Sequence, residues 1–128
     1  MTNPDYLINK GHILSYQKKY SKALDCYEKA LELDSRCYLA LIGKGKILAD
    51  CHRYADAIDC YNKAIDLNPN SFESYFEKGN ALYQLNKSNT NLLHSVQCFS
   101  KAIKLNPKNS LLYIGINFFM DKIHFIIV

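Results

Sequence analysis

Apolar residues recur along this chain at helical spacing. Leu24, Tyr27 and Leu31 form one stripe and Ala57, Ile58, Tyr61, Ala64 and Ile65 another, with charged residues filling the positions between. Such stripes predict amphipathic helices near 5–17, 21–33, 38–50, 54–67, 72–85 and 92–105. Pro69 and Pro107 push Asn68 and Asn106 out of helical geometry, so each ends a helix. Glycine inside a helix costs about 1 kcal/mol relative to alanine, so Gly11 and Gly45 within predicted helices imply a packing need. Paired with Ala23 and Ala57, they let two helices approach closely while the aromatic rings of Tyr27 and Tyr61 fill the gap beside them.

The pattern also repeats. The segments Cys26–Asp34 (CYEKALELD), Cys60–Asn68 (CYNKAIDLN) and Cys98–Asn106 (CFSKAIKLN) superimpose without a gap, with starts 34 and then 38 residues apart. Upstream of each lies a second match, Lys10-Gly11 with Leu14, Lys44-Gly45 with Leu48 and Lys78-Gly79 with Leu82. A unit of 34 residues with this content resembles the tetratricopeptide repeat, a helix-turn-helix solenoid module. The second copy, 38–71, carries Leu41, Gly45, Leu48, Tyr54, Ala57, Tyr61, Ala64 and Pro69 at the signature positions. The first, 4–37, matches through Leu7, Gly11, Leu14, Tyr20, Ala23, Tyr27 and Ala30 but puts Ser35 where proline is usual. The third, 72–109, matches through Tyr75, Gly79, Leu82, Leu92, Ser95, Phe99, Ala102 and Pro107, with four extra residues in the turn near 86–91.

The resemblance implies an all-α fold, a right-handed superhelix of about seven helices in which stacked repeats bury what one repeat cannot. The seventh helix is expected in 110–128, as a cap or as the start of a truncated fourth repeat. That segment is too apolar for a plain cap. Leu111, Leu112, Ile114, Ile116, Phe118, Phe119, Ile123, Phe125, Ile126 and Ile127 cannot all face one stripe, so a second copy of the chain, a partner or further repeats are expected over the surplus.

Composition narrows the function. The chain has 128 residues, 48% of them hydrophobic and 22% charged, which is the make-up of one globular domain able to fold without disulfides or metal. A net charge of +4, spread evenly, argues against a nucleic-acid binder; Lys29, Lys63 and Lys101 form a basic column, but carboxylates dilute it in the first two repeats. The N-terminus lacks the charged and apolar blocks of a secretory signal, and 111–128 is broken by Asn117, Asp121, Lys122 and His124, so neither export nor a membrane span is expected. Five cysteines, none in a Cys-x-x-Cys pair, fit free thiols in a reducing compartment, and the expected location is the cytoplasm.

Sites for chemistry are scarce. Gly43-Lys44-Gly45-Lys46 lacks the spacing of a phosphate loop and falls in a helix, which makes it a packing feature. Cys26, Cys60 and Cys98 recur because the unit recurs, and on layers roughly 10 Å apart they are beyond disulfide reach. His94 with Cys98, and Cys51 with His52, fall short of the four clustered ligands of a structural zinc site. No metal, cofactor or catalytic residue is expected, and the chain reads as no enzyme.

What the resemblance implies instead is protein binding, by a concave groove formed by the first helices that takes an extended peptide or a helix of a partner. Carrying the family's groove positions onto this sequence gives Asp5, Ile8, Asn9, His12, Ser15 and Tyr16 from the first repeat. The second contributes Leu39, Ile42, Gly43, Lys46, Ala49 and Asp50, and the third Glu73, Phe76, Glu77, Asn80, Tyr83 and Gln84. The candidate site is therefore Asn9, His12, Tyr16, Lys46, Asp50, Glu77, Asn80, Tyr83 and Gln84. One subfamily grips the acidic tail of cytosolic heat-shock chaperones with Lys, Arg and Asn. The matching positions here hold Ile8, His12, Gly43, Glu73 and Glu77, and two acids where cations belong argue against that tail. The expected role is a scaffold or adaptor with a partner of mixed charge. The alternatives are a self-assembly module pairing as a homodimer through 110–128, or a regulatory fragment of a larger enzyme.

Overall fold

The computed structural model describes residues 3–86 and 92–109. Among them the chain forms six α-helices and no strand: α1 (Pro4–Tyr16), α2 (Tyr20–Leu33), α3 (Tyr38–Asp50), α4 (Tyr54–Leu67), α5 (Phe72–Asn86) and α6 (Leu93–Leu105). Each lies within a residue or so of the stripe that predicts it. The expected seventh helix at 110–128, its apolar surplus and most of the extended turn near 86–91 lie outside the described residues.

Local chemistry sets the helix ends. Asn3 caps α1, its side-chain oxygen accepting from the Tyr6 N–H at 2.7 Å, and Pro4 occupies the first turn, where its missing N–H is harmless. The turns inside the first two pairs are alike. Lys19 N–H donates to Leu14 C=O and Arg53 N–H to Leu48 C=O, both at 2.8 Å, and each closure puts one residue, Lys18 or His52, in the left-handed region at φ 61° or 62°. The turns between pairs are also alike. Asp34 Oδ1 accepts from the Arg36 N–H at 3.0 Å and Asn68 Oδ1 from the Asn70 N–H at 3.2 Å. An Asx turn thus ends α2 where Ser35 stands in place of the usual proline.

Helices pair as α1 with α2, α3 with α4 and α5 with α6, and the pairs stack through α2 on α3 and α4 on α5, with α1, α3 and α5 in contact along one side. The joints between pairs are where the core sits. Tyr27 of α2 packs with Ile8 of α1 and with Ala40 and Ile47 of α3, and Tyr61 of α4 packs with Leu48 of α3 and Ala81 of α5. In the third pair Phe99 of α6 packs with Leu92, Ala102 and, at a tilt of 56°, Phe76 of α5.

The recurrent glycines meet these rings directly, where the sequence placed them opposite the alanines. A Cβ on Gly11 would lie 2.6 Å from the Tyr27 ring, one on Gly45 2.5 Å from Tyr61, and one on Gly79 2.8 Å from Phe99. Gly43 extends the rule across a joint, because its Cβ would also strike Tyr27. Tyr27 is therefore wedged between a glycine of its own pair and a glycine of the next.

The edge of α1 that no other described helix covers differs from the joints. Ala40 and Ile47 of α3, and Ser74 and Ala81 of α5, are buried at the joints, whereas the equivalent Tyr6 and Ile13 of α1 are 53% and 60% exposed. All five cysteines are free, with Cys26, Cys60 and Cys98 buried, and burial raises the Cys60 and Cys98 thiols above the ordinary value. No helix among the described residues is long and apolar enough to cross a membrane.

Candidate functional site

Side chains that α1, α3 and α5 direct away from the second helices form one continuous face. Every third or fourth residue of a helix shares a side, so His12 and Tyr16, Lys46 and Asp50, and Glu73, Glu77, Asn80 and Gln84 fall in adjacent rows. Two open clefts mark this face. One, of about 390 Å³, is lined by His12, Ser15, Tyr16, Tyr27, Gly43, Lys46 and Glu73. The other, of about 490 Å³, is lined by Ala49, Asp50, His52, Tyr54, Glu77, Asn80, Ala81 and Gln84.

Seven of the nine residues expected to form the site, His12, Tyr16, Lys46, Asp50, Glu77, Asn80 and Gln84, line these clefts. Asn9 is exposed on α1 and lines neither. Tyr83 is half-buried and packs against the Leu92, Phe99 and Ala102 cluster. The wider groove assignment needs a correction at Ile8, Ile42 and Phe76: Ile8 and Ile42 are core residues, and Phe76 packs against Phe99. The physical reason is rotation about the helix axis, since the residue before each groove residue turns about 100° toward the second helix of its pair.

The first cleft has a polar floor that the sequence did not announce. Gly43 leaves room for the Tyr27 ring to pass beneath α3, so its hydroxyl reaches α1 and sits 2.7 Å from His12 Nδ1. Burial raises the Tyr27 phenol to about 12, so it stays protonated, and the imidazole tautomer sets which of the two groups donates. The His12 pKa is lowered, first by burial and then by Lys46 nearby. Across the cleft, Lys46 Nζ lies 3.4 Å from Glu73 Oε1, an exposed ion pair between α3 and α5.

The second cleft is different. Tyr61, which stands on α4 where Tyr27 stands on α2, is 0% exposed and does not line it, and the Tyr61 hydroxyl has no hydrogen-bond partner among the described residues. Where Gly43 faces Tyr27, the third pair supplies Glu77. Burial raises the Glu77 carboxyl; Lys46 opposes the rise, and Glu73 and Asp50 add to it. Burial, and then Glu77, Cys60, Asp50 and Glu73, push the Tyr61 phenol far above its ordinary value.

Elsewhere, a third cleft of about 400 Å³ between α5 and α6 is lined by Tyr75, Lys78, Leu82, His94, Gln97, Cys98 and Lys101. Lys44 on α3 lies 3.7 Å from Glu28 on α2, so the lysine beside Gly45 serves an interhelical contact. Among the described residues no group of three or more His, Cys, Asp or Glu side chains is placed to hold a metal ion.

Three stacked helical hairpins with a ring-in-glycine joint and a polar inner face define a helical repeat protein of the interaction type. The tetratricopeptide repeat models match residues 4–37 and 72–109, and a TPR repeat model matches 45–86, so the chain belongs to the tetratricopeptide repeat family. Searched against curated proteins, the sequence finds no match. Among solved structures, the first TPR of Spaghetti (RPAP3), bound to the HSP90 peptide SRMEEVD, superimposes with a TM-score of 0.80 at 21% identity, covering 95% of this chain and 94% of that one. The first TPR domain of the human RPAP3 protein gives 0.79 at 23% identity over 89% and 87%. YrrB, described as a TPR protein with an unusual peptide-binding site, gives 0.74 at 20% identity, covering 91% of this chain and 58% of YrrB. At these identities the likeness is one of fold.

Proposed function

We propose that this chain is a scaffold or adaptor, without catalysis of its own, whose concave face binds an extended or helical segment of a cytoplasmic partner protein. The observation that carries this reading is the pair of open clefts, lined, apart from His52 in a turn, by side chains held on stacked helices. Tyr16, 92% exposed at the rim of the first cleft, offers a large rigid contact surface of the kind that anchors protein interfaces. Tetratricopeptide domains of similar fold, solved with a peptide, support the same role.

Which partner enters is a matter of charge. The first TPR of Spaghetti (RPAP3) and its second TPR, which is also similar in fold, were both solved with the peptide SRMEEVD, whose last four residues include two glutamates and an aspartate, and this weighs in favour of an acidic tail. Weighing against it are Glu73 and Glu77, which stand where cations would be needed. A direct titration decides between them. Fluorescein-labelled SRMEEVD is expected to show no saturable binding up to millimolar chain, and a micromolar dissociation constant overturns the exclusion.

The groove itself is tested with a random dodecapeptide library displayed on phage and selected on the folded chain. Enriched peptides should lose binding to Asn80→Arg, which fills the second cleft from a half-buried helix position. Peptides that bind Asn80→Arg and Tyr16→Ala as well as the parent chain would show that another surface is the binding face.

A further inference from the structure

The cleft between α5 and α6 opens away from the concave face. Lys78 in its lining is two residues from Asn80 of the groove, about 200° around the helix axis. A row on α5 running from Tyr75 through Lys78 to Leu82 faces a row on α6 running from His94 to Lys101, each about two turns or roughly 10 Å long.

The second hairpin has the same cleft, of about 410 Å³, and the two differ in charge. There Glu28, Asp56 and Asp59 balance Lys44, Arg53 and Lys63, with Glu28 3.7 Å from Lys44 and Asp56 2.7 Å from Arg53. In the third hairpin Lys78 and Lys101 keep the places of Lys44 and Lys63, but Asn62, His94 and Gln97 stand where the three acids stood. The loss extends along the helix. Whereas α2 carries Asp25, Glu28 and Glu32, and α4 carries Asp56, Asp59 and Asp66, α6 carries Lys101 and Lys104 with no acid.

Among the described residues neither Lys78 nor Lys101 has an ion pair. Lys78 is half-buried and close enough to the Cys98 thiol for its charge to oppose the effect of burial there. The same exchange of residues adds apolar surface: Leu93 replaces Ala55, is 60% exposed, and lies one turn before Gln97. A half-buried ammonium has given up hydration without gaining a partner, and the leucine beside it leaves apolar area in water. A ligand that answers both carries a carboxylate on an apolar scaffold. The second hairpin shows how this chain itself answers such a lysine, since α2 lines the cleft with Leu24 and Glu28, one turn apart on one helix.

We propose that the cleft between α5 and α6 is a docking surface on the outer face for an acidic amphipathic helix of a partner protein. Its carboxylates meet Lys78 and Lys101, and its apolar side chains, one turn away, cover Tyr75, Leu82 and Leu93. Charge complementarity selects the acid, and two helical rows framing an open groove select the helix. SRMEEVD is too short to hold a helix and is no ligand for this cleft. Docking here does not require the concave groove to be occupied.

A phage library of helical peptides about 20 residues long, randomised on one face, is selected on the folded chain and counter-selected on the double variant His94→Asp, Gln97→Glu. Both positions are exposed and both changes return the acidic charge of the second hairpin, so the fold is kept, as circular dichroism checks. Enriched helices should carry Asp or Glu four residues from a large apolar residue. Fluorescence anisotropy should show about a tenfold loss on the double variant and on Lys78→Gln, and weaker binding as salt rises. Lys29→Glu, exposed on α2 outside the cleft, makes a charge change of similar size and should leave affinity within about twofold. No helix preferring the parent chain, enriched helices without acids, or an equal loss on Lys29→Glu overturns the docking surface. Displacement by millimolar inorganic phosphate makes the cleft a simple anion site and overturns it too. Binding kept on the double variant but lost on Asn80→Arg places the helix in the concave groove, which overturns this surface and leaves the groove reading standing.

Discussion

Tyr27 and Tyr61 are the same residue at the same place in successive hairpins, and their hydroxyls have opposite fates. The Tyr27 hydroxyl is bonded to His12, whereas that of Tyr61 is buried and orphaned. Removing a satisfied hydrogen bond and removing an unsatisfied polar atom have opposite signs. Tyr27→Phe should lower unfolding free energy by about 1 kcal/mol, and Tyr61→Phe should leave it unchanged or raise it by about 1 kcal/mol, read by urea denaturation. The two substitutions are chemically identical, so equal effects would dismiss the environment as the cause. Gly43 gives the sharpest steric prediction. Gly43→Ala forces a methyl group into the Tyr27 ring at a joint where ring and backbone are both confined, and should cost about 1–3 kcal/mol in spite of alanine's better helix propensity.

Among elements, the turn from α1 to α2 holds Lys18 at φ 61°, a conformation that costs a residue with a Cβ roughly 1–2 kcal/mol. Lys18→Gly relieves it, less glycine's larger entropy in the unfolded chain, and should raise the unfolding midpoint by the equivalent of about 0.5–1 kcal/mol. His52→Gly is the less clean test, because His52 Nδ1 also sits 2.8 Å from the Tyr54 hydroxyl. The edge of α1 that no other described helix covers belongs to this scale too. Tyr6 and Ile13 occupy joint positions with nothing described beyond them, so polar replacement of both should change stability by no more than about 0.5 kcal/mol, where the same change at Ala40 and Ile47 would unfold the chain.

For the whole molecule, stability is carried by the joints, and titration reads the concave face. Glu77 has a folded pKa raised above the ordinary carboxylate value, so its ionised form is a liability at neutral pH that fades as pH falls through that raised value toward the ordinary one. Glu77→Gln mimics the protonated state. Its unfolding free energy should exceed the parent's most at neutral pH, with the gap closing on acidification in the window just above the usual carboxylate range. His12 works in the other sense. Its folded pKa is lowered, so the neutral ring contributes stability above its ordinary value of 6.5 that is lost as pH falls toward the folded value. Following His12→Gln and Glu77→Gln in parallel by thermal denaturation between neutral pH and the carboxylate range separates the two contributions.

The helix count over the described residues, the pairing and the packing of ring against glycine within a pair were legible in the sequence, because a stripe every three to four residues and a 34-residue repeat leave few other ways to bury apolar surface. Most of the inner-face residues followed from the repeat phase. Ile8, Ile42 and Phe76 did not, since a rotation of about 100° per residue separates groove from core and an apolar residue at that boundary belongs to whichever side the neighbouring helix covers. Nor did the ion pair of Lys46 with Glu73, formed across two hairpins, or the different environments of Tyr27 and Tyr61. Those depend on what stands opposite in the next repeat, glycine in one case and glutamate in the other. Pattern along one chain fixes which face of a helix is buried; only the stacking of one hairpin on the next decides which polar atoms meet and which are left for a partner.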